Sequence, residues 1–145
     1  DQNFDITPSG QSIQGTSSGD SLTGGAADDL INGLDGNDTI EGLSGNDEIN
    51  GGDGDDILFG GNGIDELIGG NGADTFEFCN QSGNDIIKDY NKSDGDKLAF
   101  YIQSGDSQSV SFSGDTITWG SLSVQLEGLT LSSENDFLVE YNLVA

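Results

Sequence analysis

Apolar residues recur along the first half of the chain with a period of nine. Leu22, Ile31, Ile40, Ile49, Leu58, Leu67 and Phe76 are each flanked by residues that are mostly polar or small. A single apolar position between two outward ones predicts a very short strand with one side chain turned inward. From Gly15 the chain divides into seven consecutive nonapeptides: GTSSGDSLT, GGAADDLIN, GLDGNDTIE, GLSGNDEIN, GGDGDDILF, GGNGIDELI and GGNGADTFE, ending at Glu77. The first position is always Gly, the sixth always Asp (Asp20, Asp29, Asp38, Asp47, Asp56, Asp65, Asp74) and the eighth always apolar. Chance does not hold three columns fixed over seven copies, so each repeat is read as a turn followed by a strand.

Beyond Phe78 the period changes. Residues 97–102 (KLAFYI) predict a strand. Val110/Phe112, Ile117/Trp119 and Leu122/Val124/Leu126 alternate with polar residues, with Gly114-Asp115 and Gly120-Ser121 between them. These segments predict antiparallel strands joined by hairpins, with Phe112 and Trp119 in a core. The organisation expected is a degenerate coil over 1–14, in which Ile13 alone keeps the apolar eighth position, a repeat array over 15–87, and a C-terminal β unit over 88–145 that can cover the array's open end.

One apolar side chain in nine cannot bury enough surface to order a coil. Composition sharpens the problem: the chain of 145 residues has 27 acidic against 3 basic side chains, no His, and a formal charge of −24. High charge with only 32 % apolar residues would ordinarily mean disorder. The same charge excludes a nucleic-acid-binding surface and disfavours an anionic membrane surface, and no apolar run approaches a membrane span. Absence of His removes His-based triads and His-ligated zinc. The single Cys79 has no base to activate it and is expected as a small buried hydrophobe. With no initiator Met and no signal peptide, the chain is expected to be a piece of a longer protein.

What remains is a hard-oxygen donor set of clustered carboxylates and carbonyls, which favours Ca²⁺, taking 6–8 oxygens, over Mg²⁺. Gly at positions one, two and four permits a tight curve on which carbonyls converge. The repeats resemble the RTX (repeats-in-toxin) nonapeptide, G-G-x-G-x-D-x-apolar-x. That resemblance implies an all-β fold, a right-handed parallel β-roll in which two nonapeptides make one coil and Ca²⁺ sits between turns 18 residues apart. It also implies the ligands: carbonyls of positions two and four with the Asp of one turn, and carbonyls of positions one and three with the Asp of the next.

Carried over, one site is Leu34, Gly36 and Asp38 with Gly51, Asp53 and Asp56. A second is Leu43, Gly45 and Asp47 with Gly60, Asn62 and Asp65. A third is Gly52, Gly54 and Asp56 with Gly69, Asn71 and Asp74. The first two repeats depart from the pattern, since Ser18 and Ala27 replace Gly at position four; there the sets are Thr16, Ser18 and Asp20 with Gly33, Asp35 and Asp38, and Gly25, Ala27 and Asp29 with Gly42, Ser44 and Asp47. At the far end Asp85, in Ser82-Gly83-Asn84-Asp85, resembles an eighth turn shifted by two and closes a set with Gly61, Gly63 and Asp65. Five or six Ca²⁺ would offset roughly half of the charge.

Asp28 and Asp55, at position five, are expected to be solvated or outer-shell. Asp85–Tyr90 and Asp94–Leu98 resemble the segment that follows RTX repeats; Asp89, Asp94 and Asp96 are expected in a solvated loop, with a further ion site as the alternative, and Lys88, Lys92 and Lys97 are expected to pair with nearby carboxylates. Residues 134–139 (ENDFLV) read either as an ordinary last strand or as a secretion tail. The resemblance implies a non-catalytic, secreted or cell-surface module of a larger protein, exported by type I secretion machinery and folded by Ca²⁺ outside the cell, with upstream domains, calcium and the exporter as partners. Two other readings stand beside it: a Ca²⁺-dependent adhesion or surface-assembly module, and a substrate-binding accessory of an extracellular enzyme. An autonomous enzyme is disfavoured, because no acid/base pair stands apart from the ligand carboxylates.

Overall fold

The computed structural model describes residues 9–103 and 110–129, and the backbone of 138–144. Among these residues all regular structure is strand. The expected three-residue strand is seen only at Ser12–Gln14 and Ser21–Thr23; from Leu30–Asp35 to Glu66–Asn71 each strand has six residues and runs through the first glycines of the next nonapeptide, and successive strands go to opposite sheets because the chain turns between them. One sheet holds β1 (Ser12–Gln14), β3 (Leu30–Asp35), β5 (Glu48–Asp53), β7 (Glu66–Asn71) and β9 (Asn84–Ile87). The other holds β2 (Ser21–Thr23), β4 (Thr39–Ser44), β6 (Ile57–Asn62), β8 (Thr75–Cys79) and β10 (Lys97–Gln103). Every pairing along these two stacks is parallel. The register steps by 18 residues through the repeats, as in Ile31↔Ile49 and Ile40↔Leu58. The fold is therefore a parallel β-solenoid with two nonapeptides per coil.

The eighth-position side chains meet between the sheets. Ile31, Ile40, Ile49, Leu58, Leu67 and Phe76 are buried, and Phe78, Ile87, Leu98 and Phe100 continue the same core. Ile13 and Leu22, in the first coil, are only partly buried against it. Cys79 is half-buried rather than buried. It ends β8 one residue after the inward Phe78, so strand alternation turns it outward.

The C-terminal strands join the same two sheets. β11 (Val110–Ser113), β12 (Thr116–Trp119) and β13 (Leu122–Leu126) form an antiparallel meander, and β13 pairs parallel with β9. β14 (Leu138–Val144) pairs parallel with β10. Gly114 (φ +66) and Gly120 (φ +64) open the two expected hairpin turns, a first turn position where a positive φ matches the strand twist. Trp119 is buried, with its ring edge-on to Phe100 at 5.8 Å; Phe100 stacks on Phe78 at 5.4 Å. This aromatic row joins the repeat core to the meander. Of the candidate secretion tail, residues 134–137 lie outside the described residues, and Leu138 and Val139 begin β14.

Candidate calcium-binding sites

The sixth-position Asp stands directly before each repeat strand, so the solenoid stacks these residues in two columns, one on each edge. Within a column every carboxylate is held alike. Asp38 Oδ1 accepts the Asp20 N–H at 2.7 Å, Asp56 Oδ1 that of Asp38 at 2.7 Å, and Asp74 Oδ1 that of Asp56 at 3.0 Å. On the other edge Asp47 serves Asp29 at 2.7 Å, Asp65 serves Asp47 at 2.8 Å, and Asp85 serves Asp65 at 3.1 Å. The two-residue shift expected at Asp85 is thus the observed register.

The second oxygen is the exceptional one. Oδ2 of Asp38, Asp47, Asp56, Asp65, Asp74 and Asp85 is buried and has no hydrogen-bond partner, although these residues are 2 % exposed or less. Buried polar atoms are ordinarily partnered, and an ionised oxygen left alone is costly. Burial, the largest influence, outweighs the amide bonds and raises the carboxyl pKa of Asp47 and Asp56; it raises Asp65 to about 6 and Asp74 and Asp85 to about 7. The stacked carboxylates add to the rise, as Asp47 does at Asp65.

For five of these, Asp38, Asp47, Asp56, Asp65 and Asp74, the space beside Oδ2 is kept open by the position-one glycine. A Cβ on Gly33, Gly42 or Gly51 would collide with Oδ2 of its own turn's Asp38, Asp47 or Asp56, and with the carbonyl of Gly51, Gly60 or Gly69 one coil further on. In this way each expected Asp and position-one carbonyl are brought to a shared gap. Carbonyls of positions two and four face the same interval: those of Leu34 and Gly36 lie against Gly52 and Gly54, those of Leu43 and Gly45 against Gly61 and Gly63, and those of Gly52 and Gly54 against Gly70 and Gly72. The position-three carbonyls of Asp53, Asn62 and Asn71 each also accept an amide, from Gly36, Gly45 and Gly54. Among the described residues no three acidic side chains converge as a metal cluster. The donor set that fits is therefore one or two carboxylates completed by backbone oxygens, which suits a large hard cation.

The first two turns are built differently. Positive φ occurs at Leu34 (+82) and Leu43 (+80), not at Ser18 or Ala27. Strain therefore falls on the third and fourth repeats, where Leu replaces the position-two Gly. In the first repeat Asp20 Oδ2 accepts the Thr16 N–H at 2.6 Å and the Thr16 hydroxyl at 2.9 Å; in the second, Asp29 Oδ2 accepts the Gly25 N–H at 2.5 Å. The Thr16 and Gly25 carbonyls accept the amides of Asp35 and Ser44. A Cβ on Gly15 or Gly24 would still meet Asp20 with the Gly33 carbonyl, or Asp29 with the Gly42 carbonyl, so the residues are adjacent but their oxygens are already partnered.

Two carboxylates join the ladder that the repeat period does not reach. Asp96 is buried and not in a solvated loop: its Oδ1 accepts the Asp74 N–H at 3.0 Å and its Oδ2 the Asn91 N–H at 2.7 Å. Asp89 accepts the amides of Gly69 and Gly70, each at 2.9 Å. The signal for Asp96 was present in Asp96-Lys97-Leu98, the same acid–x–apolar step as Asp85-Ile86-Ile87, displaced by 22 residues instead of 18. Position five forms a second ladder running the other way: Asp28 Oδ1 accepts the Asn46 N–H, Asn37 Oδ1 that of Asp55, and Asp55 Oδ1 that of Ala73. Asp28 and Asp55 are thus turn-locking acceptors on the surface. Lys88 pairs with Glu127 and, at 3.9 Å, with Glu66.

A family model for the RTX calcium-binding nonapeptide repeat (4 copies) matches residues 14–49, 32–67 and 50–77. No curated protein sequence matches the chain. Among solved structures, the extracellular lipase LipA from Serratia marcescens aligns over 91 % of this chain and 40 % of its own, at 18 % identity and a TM-score of 0.43; the chain thus spans two fifths of that lipase. The AlgE6R3 subunit of the mannuronan C5-epimerase from Azotobacter vinelandii aligns over 90 % of this chain and 80 % of its own, at 27 % identity and a TM-score of 0.33. Over residues 14–77 this chain is built of RTX calcium-binding nonapeptide repeats.

Proposed function

We propose that the chain is a non-catalytic calcium-binding module of a larger secreted protein, and that its fold closes when calcium is available. The observation that carries this reading is the set of six buried, unpartnered Oδ2 atoms, five of them, Asp38 to Asp74, beside a gap that a single Cβ would fill. Without a cation, these acids are stacked, desolvated and mutually repelling. With one, an otherwise unfavourable core of charge becomes the cross-link between coils, and binding energy is folding energy. Extracellular modules bind Ca²⁺ at ~10⁻⁴–10⁻³ M; a chain held unfolded at low calcium and folded outside the cell fits that range and the type I export implied by the repeats.

The residues proposed to hold ions are Leu34, Gly36 and Asp38 with Gly51, Asp53 and Asp56; Leu43, Gly45 and Asp47 with Gly60, Asn62 and Asp65; Gly52, Gly54 and Asp56 with Gly69, Asn71 and Asp74; and Gly61, Gly63 and Asp65 with Asp85. The sets headed by Asp20 and Asp29 are left out, because their own amides already satisfy those carboxylates. Residues 1–14 then serve as the entry coil, 15–87 as the ion-binding roll, and 88–145 as the unit that closes its far end.

The test is calcium titration of the chelated chain, followed by circular dichroism and by counting bound ions. A cooperative gain of β-structure is expected. Asp56→Asn should weaken binding strongly, since it keeps the amide-accepting oxygen but replaces the free one, whereas Asp20→Asn should leave the ion count unchanged. An identical β-signal in chelator and in millimolar calcium would refute the reading.

A further inference from the structure

The chain contains four Asn–Gly dipeptides: Asn32–Gly33, Asn50–Gly51, Asn62–Gly63 and Asn71–Gly72. Glycine offers no side chain to hinder its amide nitrogen, so all four share the same intrinsic tendency to close a five-membered imide. The fold divides them into two classes. Asn32–Gly33 and Asn50–Gly51 lie inside β3 and β5, and both glycines are buried. Asn62 and Asn71 are the last residues of β6 and β7, are exposed, and are followed by glycines outside the strands at φ +143 and +133.

A second difference lies in the amides. Earlier along the solenoid the position-four N–H is tied down: Gly36 donates to the Asp53 carbonyl at 2.7 Å, Gly45 to that of Asn62 at 3.1 Å, and Gly54 to that of Asn71 at 2.8 Å. Gly63 and Gly72 are the last glycines in this position. The coil stacked on them is irregular, with Asp85 and Asp96 displaced by 20 and 22 residues from their partners. Among the described residues no acceptor receives the Gly63 or Gly72 N–H.

We propose that Asn62–Gly63 and Asn71–Gly72 are sites of spontaneous deamidation in the folded protein. The glycine nitrogen forms a bond to the Asn Cγ, the Cγ–Nδ2 bond breaks, and ammonia leaves with the proton lost by the glycine amide. Water then opens the imide at either carbonyl, giving aspartate or isoaspartate. At residue 71 the product replaces a donor with a carboxylate, where Asn71 Nδ2 now donates to Asp53 Oδ1 at 2.7 Å. Isoaspartate also lengthens the main chain at the carbonyl that receives the Gly54 amide. The modification thus loosens the C-terminal end of the repeat array as the protein ages.

The test is incubation of the full chain at mildly alkaline pH, folded in calcium and, in parallel, unfolded in urea, with peptide mapping by mass spectrometry. Circular dichroism confirms the folded arm, so the result rests on the fold and not on which residues hold the ion. In urea the four sites should react at similar rates. In the folded chain Asn32 and Asn50 should be slowed at least about tenfold more than Asn62 and Asn71, because strand interiors open far less often than exposed turns. Equal protection at all four, or faster reaction at Asn32 or Asn50, would overturn the proposal. Asn62→Ser with Asn71→Ser, compared with the parent chain under conditions where circular dichroism shows both folded, should remove the fast reaction; persistence of that reaction would also overturn the proposal.

Discussion

Gly51→Ala isolates the role of the gap beside the free carboxylate oxygen. Gly51 does not have a positive φ, so alanine can adopt its backbone without strain. The cost comes from space alone. The new Cβ would stand 2.6 Å from the Gly69 carbonyl, against 3.4 Å for ordinary contact, and closer still to Asp56 Oδ2. Both obstacles are held by stacked coils, so neither yields as a flexible side-chain tip would. Overpacking of a rigid interior costs typically ~1–3 kcal/mol. With two polar atoms in the way, the upper part of that range, about 2–3 kcal/mol, is expected, a factor on the order of 30–150 in the folding equilibrium. Since the displaced atoms are also the proposed ligands, the calcium midpoint should rise with the loss of thermal stability. Gly114→Ala is the control: nothing lies within 4 Å of its Cβ, but its φ is +66, so only the ~1–2 kcal/mol left-handed penalty applies and the calcium midpoint should move much less. Thermal melts at fixed calcium and calcium titrations of both variants decide the matter. A Gly51→Ala chain matching the parent in both measurements would refute the assignment of the gap.

Leu43→Gly should stabilise the calcium-loaded protein by about 0.5–1 kcal/mol, the left-handed penalty relieved at φ +80 less the added chain entropy of glycine; a lower melting temperature would contradict this, and Leu34→Gly, whose side chain is more buried, should gain less. For pH, the folded values of about 6 for Asp65 and about 7 for Asp74 and Asp85 lie above the ordinary 3.8. The penalty for ionising them is therefore absent below about pH 4 and grows as pH rises towards 7, so chelated protein should show more β-structure near about pH 5 than near about pH 7.5. Protons compete for the same oxygens, so the calcium midpoint should rise over that same acidification; a midpoint independent of pH would count against carboxylate ligation. Phe100→Ala removes the ring that joins Phe78 to Trp119 and should cost about 3–5 kcal/mol, seen as a loss of melting temperature that saturating calcium only partly restores.

Much of the architecture was legible in the sequence because its period is local. Gly at fixed intervals fixes where the chain turns, and the eighth-position side chain fixes which face is inward, so the turn-and-strand unit and its inward side chains from Ile31 to Phe76 follow from nine-residue arithmetic, whereas the coil of two nonapeptides, and with it the two columns of aspartates, came from the resemblance to RTX repeats. The hairpins at Gly114 and Gly120 were legible for the same reason. What the period could not determine was how each oxygen is spent. Asp20, Asp29 and Asp56 occupy the same column of the repeat, yet the first two close on their own turns and the third keeps a bare Oδ2, a difference set by backbone angles at neighbouring residues. Asp96 and Asp89 entered the ladder only because the chain returns to the same edge after an irregular excursion, and Asp28 and Asp55 became surface rungs because an amide 18 residues away arrived within reach. Sequence spacing specifies which residues share a coil; hydrogen-bond partners between coils depend on stacking distance and local torsion, and those exist only once the coils are packed.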